Sequence, residues 1–353
     1  MIQFHVSNGG SVTNEITIPA PDDWHAHYRD EPMLSDVAPF SATQFKRVVA
    51  MGNVPAITTV EKAIAYNLRT NAVTKPYGSH TLVSPKITDL TTPDLAQAFW
   101  EAGFPRLKFY PEGATTASSD GISNIAVLFP TFEVMQDRNM VLQIHGECPA
   151  TWEWVDVSRR EMMFLPLVQL VADNFPKLRI VLEHISTSAA VAFIEDAAET
   201  VGATVTIHHL LDTMNDVRGG LGDPHRMCKP EIKGRADRDA LRMLVFYKKL
   251  RRVFFGSDSA PHRLGSKHSD QICSGVFSAP VLMPKLLDLF QRYSDGESLI
   301  DFTWAFGADF YGLPRNKEKL VLARDPWVVP DMLGEVRPYM AGQTIEWRVG
   351  GFV

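Results

Sequence analysis

No stretch of this 353-residue sequence approaches the ~20 consecutive apolar residues that a bilayer-crossing helix needs, so a helical membrane span is not expected. The opening segment MIQFHVSNGGSVTNE lacks the basic-then-apolar pattern of a secretion leader, and the expected location is the cytoplasm. Cysteine is scarce. Cys148, Cys228 and Cys273 are odd in number, far apart and outside any CxxC arrangement, which favours reduced thiols over a disulfide framework. Runs of Lys or Arg are also missing, and 35 basic against 41 acidic residues leave a net charge of −6. Such a field opposes a polyanion, so no nucleic-acid partner is expected, and an anionic small molecule must be held by a few local cations. No internal repeat or low-complexity tract breaks the chain.

What is present is an ordinary globular composition, 45% hydrophobic and 22% charged, able to bury a large core. Short apolar or β-branched runs alternate with longer helix-compatible stretches. The expected strands are 22–27, 46–51, 80–85, 106–110, 140–145, 178–184, 203–208 and 252–258. Helices are expected over 58–73, 92–103 and 187–202, the first opening on Thr58 and Thr59 ahead of Glu61, close to a capping box. Eight strands alternating with helices predict an α/β fold, and the count favours a closed (β/α)₈ TIM barrel over an open sheet. Such a barrel takes about 250 residues. The rest is expected as short terminal appendages to a single domain, with the barrel core over about 20–314 and a Pro- and Val-rich C-terminal appendage over about 315–353.

His25-Ala26-His27 on the first strand is the sharpest local feature. Side chains alternate along a strand, so both imidazoles project from one face, with Arg29 following if the strand continues. Other metal-type residues close other strands: Lys108 in RLKFY, His145 in LQIHGE, His184 in VLEHIS and Asp258 in FFGSDSAPH. A barrel's catalytic face lies at the C-terminal ends of its strands. Four histidines, an aspartate and a lysine converging there are costly as core filling, because buried polar groups need partners. Imidazoles and a carboxylate suit Zn²⁺ and similar ions.

On these positions the chain resembles the amidohydrolase superfamily with a two-metal centre. PDDWHAHYRD, KFYPEGATTASSDG, HGE, LEHIST and GSDSAPH, with the tail MAGQTIEWRV, resemble the single-domain bacterial dihydroorotases from about residue 18 to 350. The resemblance implies reversible hydrolysis and cyclisation between (S)-dihydroorotate and N-carbamoyl-L-aspartate in de novo pyrimidine (UMP) biosynthesis. It implies that His25, His27 and Asp258 bind one Zn²⁺ or similar ion, and that His145 and His184 bind a second. Lys108, carboxylated at its amine, would bridge the two together with a hydroxide, and Asp258 would act as general acid and base. A lysine ammonium cannot bind a cation, whereas its carbamate can, and desolvation favours the neutral amine that reacts with CO₂.

By the same resemblance, Arg29, Asn53 and His262 would hold the substrate carboxylate, Arg29 with two parallel hydrogen bonds. The flexible segment 114–121 would close over the substrate and bring Thr115 and Thr116 to it. Contacts near Cys228-Lys229-Pro230 and at Ser274 are also implied, as is a homodimer. Some positions depart from the family pattern. GNVPAITT lacks a second proline, Lys229 replaces an apolar or amide residue, and QICSGVFSAP keeps only Cys273, so no additional cysteine-based metal site is expected. The alternatives are a dihydropyrimidinase- or hydantoinase-like enzyme, opposed by Arg29 and Asn53, and a non-catalytic scaffold, opposed by the complete ligand set.

Overall fold

The computed structural model describes residues 15–220 and 222–353, so most of the opening segment considered above lies outside the described residues. Eight parallel strands form one sheet in chain order. They are β1 (Asp22–Ala26), β2 (Arg47–Gly52), β3 (His80–Ile87), β4 (Arg106–Phe109), β5 (Val141–His145), β6 (Arg179–Glu183), β7 (Val201–Val205) and β8 (Val253–Phe255). The sheet closes between its first and last strands. Asp258 N donates to His25 O (2.8 Å) and His27 N donates to Ser259 O (2.9 Å). Every expected strand is present, and the fold is the (β/α)₈ barrel.

The expected helices run Val60–Thr74, Pro93–Glu101 and Ser188–Asp196. Each opens on a threonine (Thr59, Thr92, Thr187) whose hydroxyl accepts a backbone N–H three residues on, satisfying one of the free donors of the first turn. Around Thr59 the capping box is half made, because Lys62 rather than Glu61 holds the third position. The third helix is shorter than expected, since 201–202 belong to β7. That strand also stops at Val205, because Thr206 caps a further helix, Ile207–Leu211. A continuous apolar and β-branched run gives no periodicity by which to locate such a boundary.

Along β1 the pairing with β2 shifts register between Asp23 and Ala26. Strict alternation therefore fails, and Trp24 and His25 both turn inward. Trp24 packs with Val49, Val141, Val181 and Phe254 in the lower barrel, and His25 bonds Glu183 above it. A bulge of this kind re-aims a side chain. The interior is layered. Beneath is the apolar floor, closed by Tyr311 stacked on Trp24 (4.4 Å between ring centroids). Above it lies a buried polar belt. Ser84 Oγ donates to Gln143 Oε1 (2.6 Å), Gln143 Nε2 to Glu183 Oε1 (2.9 Å), and Thr204 Oγ1 to Glu183 Oε2 (2.6 Å).

The C-terminal segment adds Lys319–Ala323 as the middle strand of an antiparallel sheet between Glu15–Pro19 and Arg348–Phe352. Leu320 and Leu322 are buried in the main core, while Val329, Tyr339 and Ile345 pack against Val217, Cys228 and Val276. Among the described residues, no helix is long and apolar enough to cross a membrane.

The barrel floor depends on a close approach at Gly307, where a Cβ would fall 2.0 Å from Trp24 Nε1. Gly307→Ala should therefore cost about 1–3 kcal/mol through overpacking. Denaturant unfolding measures this, and a loss below roughly 0.5 kcal/mol, within the range of ordinary surface substitutions, would contradict the packing of Trp24.

Candidate metal centre

The ends of the strands bring the imidazoles into a chain. Ring centroids lie 5.4 Å apart for His25 and His27, 5.0 Å for His25 and His184, and 4.9 Å for His145 and His184. Asp258 Oδ1 stands 3.2 Å from His27 Nε2 and 3.4 Å from His25 Nε2. Ligand atoms of His25, His27 and Asp258 all lie within 4.8 Å of one another. Gly256 permits this approach, because a Cβ there would meet Thr204 Cβ at 2.9 Å and His25 Cβ at 3.0 Å. Arg29, His184 and Asp258 all adopt positive φ (65°, 42° and 43°), a costly backbone for residues with side chains that typically marks functional sites.

Buried carboxylates fix which nitrogen each histidine presents. Glu183 Oε2 engages His25 Nδ1 (2.8 Å), and Glu147 Oε2 engages His145 Nε2 (2.8 Å), leaving His25 Nε2 and His145 Nδ1 for a ligand. Neither glutamate was expected from the sequence, although HGE and LEHIST contain both. The signal was a carboxylate close in sequence to each of two candidate histidines, His145 and His184. Burial opposes ionisation of Asp258, but the His27 hydrogen bond and the neighbouring imidazoles outweigh it and hold the carboxyl well below its usual range. Burial depresses His27 to about 4, so the imidazole is neutral and able to coordinate.

Lys108 is wholly buried in β4, with Nζ lacking any hydrogen-bond partner, 4.9 Å from the Tyr110 ring centroid. Burial lowers its pKa to about 8, against weak opposition from Glu183 and Asp258. His25 Nε2 and His184 Nδ1 are likewise buried without hydrogen-bond partners. Orphaned nitrogen atoms beside an ionised carboxylate fit a cation centre, and an amine that burial shifts toward its neutral form fits conversion to an anionic ligand.

The expected site residues other than Lys108 and His262 line one cavity above this cluster. The segment 114–121 lies folded down over it. Asn53 Nδ2 donates to Thr116 O (2.8 Å), and Ser274 N donates to Thr116 Oγ1 (3.2 Å). Beneath the segment, the buried Lys86 ammonium donates to Ala117 O (3.0 Å) and pairs with Asp120. Lys86 also escaped the sequence analysis, since a lysine ending an apolar strand reads equally as a solvated tip.

Arg29 Nε donates to Pro261 O (2.8 Å), which fixes the guanidinium plane, and Nη2 meets His262 Nε2 at 3.0 Å. That same nitrogen lies 3.0 Å from Ser274 O. A ring nitrogen carries either a proton or a lone pair, so only one of these contacts is a hydrogen bond at a time, and Arg29 keeps a donor for an anion. Lys229 lines the cavity with its side chain 3.9 Å from Glu231.

The amidohydrolase family model matches residues 21–276. A dihydroorotase of Marinomonas sp. is 40% identical over 346 residues, 95% of this chain and 99% of the relative. The dihydroorotase crystal structure from Campylobacter jejuni superposes with a TM-score of 0.89 at 35% identity, covering 98% of this chain and all of that one. A Saccharomyces cerevisiae dihydroorotase in complex with 5-fluoroorotic acid gives 0.88 at 29%, covering 96% and 99%. An L-hydantoinase from Arthrobacter aurescens shares the fold at 14% identity. The chain belongs to the amidohydrolase family and, within it, to the dihydroorotases, which are metal-dependent cyclic amide hydrolases.

Proposed function

We propose that this chain interconverts (S)-dihydroorotate and N-carbamoyl-L-aspartate, a step of pyrimidine biosynthesis, with two divalent ions such as Zn²⁺ in the barrel mouth. The observation that supports it most is the convergence of His25, His27 and Asp258 beside the orphaned amine of Lys108. His25, His27 and Asp258 would hold one ion and His145 and His184 the other, with Lys108 as a carbamate between them. When bound, the ions would generate a nucleophile from water near neutral pH and polarise the ring carbonyl.

The protein's own groups supply the rest. Asp258 is ionised, with Oδ1 turned to His25 and His27, so Oδ2 is the atom to take a proton from the attacking water and deliver it to the departing ring nitrogen. Arg29 binds the substrate carboxylate in a plane fixed by Pro261, and His262 and Asn53 border that anion. The relative that carries 5-fluoroorotic acid binds a ring with a carboxylate, in keeping with this assignment. Thr115 and Thr116 reach the substrate from the closed segment, and Ser274, bonded to Thr116, and Lys229 border the same cavity. Closure excludes water that would otherwise compete for the polar groups. A single-domain chain acting as a cytoplasmic homodimer completes the proposal, and that assembly rests on the family resemblance.

Purified protein should interconvert the two compounds, lose that activity on chelation and recover it with added Zn²⁺. Turnover of hydantoin but not of dihydroorotate would reject the substrate assignment. Glu183→Gln replaces the carboxylate that orients His25 with a neutral amide and should weaken metal affinity about 10–100-fold in a chelator competition. Unaltered affinity would mean that His25 is held by packing alone. Arg29→Ala should raise KM by at least about 10-fold, as expected for loss of a charge-assisted bond worth more than about 1.4 kcal/mol, with a smaller change in kcat. An unchanged KM would release Arg29 from the carboxylate.

A further inference from the structure

A second buried cluster on the barrel's catalytic face has no part in the chemistry above. His208 and His209 lie on the helix Ile207–Leu211, which begins two residues after β7, and Cys228 comes from the loop folded against it. All three are buried, and one ligand atom from each lies within 4.8 Å of the others. Both ring nitrogens of His208 are buried without a hydrogen-bond partner. An imidazole shut away from water with neither nitrogen satisfied is an unfavourable way to fill a core, and it points to a missing partner.

Around it the geometry is already close to a coordination shell. His209 Nδ1 is 2.9 Å from Thr206 Oγ1, and when it donates there, Nε2 offers its lone pair inward. That Nε2 lies 3.9 Å from Cys228 Sγ and 3.1 Å from Pro230 O, and Sγ lies 3.2 Å from the same carbonyl. Tetrahedral zinc, with Zn–N about 2.0 Å and Zn–S about 2.3 Å, separates neighbouring ligand atoms by roughly 3.3–3.7 Å. Two imidazoles and one thiolate select a borderline or soft ion such as Zn²⁺ or Co²⁺ over Mg²⁺ or Ca²⁺. The thiolate charge would also offset the buried ammonium of Lys233, which acts on both His209 and Cys228. Burial keeps the free thiol protonated, so loading the site releases a proton.

We propose that His208, His209 and Cys228 bind a further divalent cation of the Zn²⁺ class, separate from the catalytic pair, with the Pro230 carbonyl or water completing the shell. Its role is structural. The ion fastens the loop that carries Lys229 into the substrate cavity onto the helix after β7. No sequence motif announces it, because Cys228 is 19 residues beyond His209 and reaches it only through the fold of the intervening loop. The sequence pointed the other way, since the lone Cys273 removed the one place where an added cysteine site was sought.

Cobalt titration of the chelator-treated full chain tests this independently of catalysis. No thiol belongs to the proposed catalytic pair, so a thiolate-to-cobalt charge-transfer band in the near ultraviolet reports this cluster alone. One more equivalent of Co²⁺ per chain should bind than at the catalytic pair, and that band should grow with it. Cys228→Ser should abolish the band and remove about one equivalent. His208→Gln, which keeps the thiol and the packing, should also lose the equivalent, and it decides the matter if Cys228→Ser does not fold. Saturation of wild type without a thiolate band, or a band that survives Cys228→Ser, would overturn the proposal.

Discussion

Closure of the barrel between β1 and β8 is the constraint on which the rest of the molecule depends. Two backbone hydrogen bonds, from Asp258 N to His25 O and from His27 N to Ser259 O, join the strands at the level where the candidate ligands emerge. One seam therefore does two jobs. It completes the sheet, leaving no open edge for another chain to pair with, and it brings an aspartate from the end of the barrel against two histidines from its beginning. Residues 231 positions apart in the chain become near neighbours because the sheet is circular. A change that loosened this seam would disturb the fold and the chemistry together.

The polar belt extends that constraint inward. Glu183 takes hydrogen bonds from Thr204 and Gln143 while engaging His25, so the carboxylate that orients the imidazole is itself held on three sides. Burial works against the charge on Glu183, and His25 and Lys108 offset it strongly enough to keep the carboxyl below its usual range. Unfavourable backbone at Arg29, His184 and Asp258 is tolerated in this setting, because the surrounding network and the seam over-determine where those side chains point.

Much of this was legible in the sequence, for identifiable reasons. Some strand ends were visible because the apolar run stops at a metal-type group, as at His145 and just before His184. The candidate ligands stood out because His, Asp and Lys in such places have few other uses. What stayed hidden depends on three-dimensional proximity. The bulge at Trp24 and His25 arises from register with β2, which one strand's sequence does not encode. Glu147, Glu183 and Lys86 matter through their partners on other elements, and a lone Glu or Lys carries no sign of its partner. The boundary at 201–206 was misplaced because β-branched residues serve equally as strand interior and helix cap.

The layering of the barrel also governs traffic. With Tyr311 stacked on Trp24, the lower end is filled, and the cavity lies on the side of the barrel where Thr115 and Thr116 fold over it. Lys108 lies at the bottom of that blind passage, beneath the histidines. If its amine is to capture CO₂, the gas has to reach it past those histidines. The dead-end architecture thus leaves a single doorway to serve whatever modifies Lys108, whatever ions the histidines hold, and the substrate.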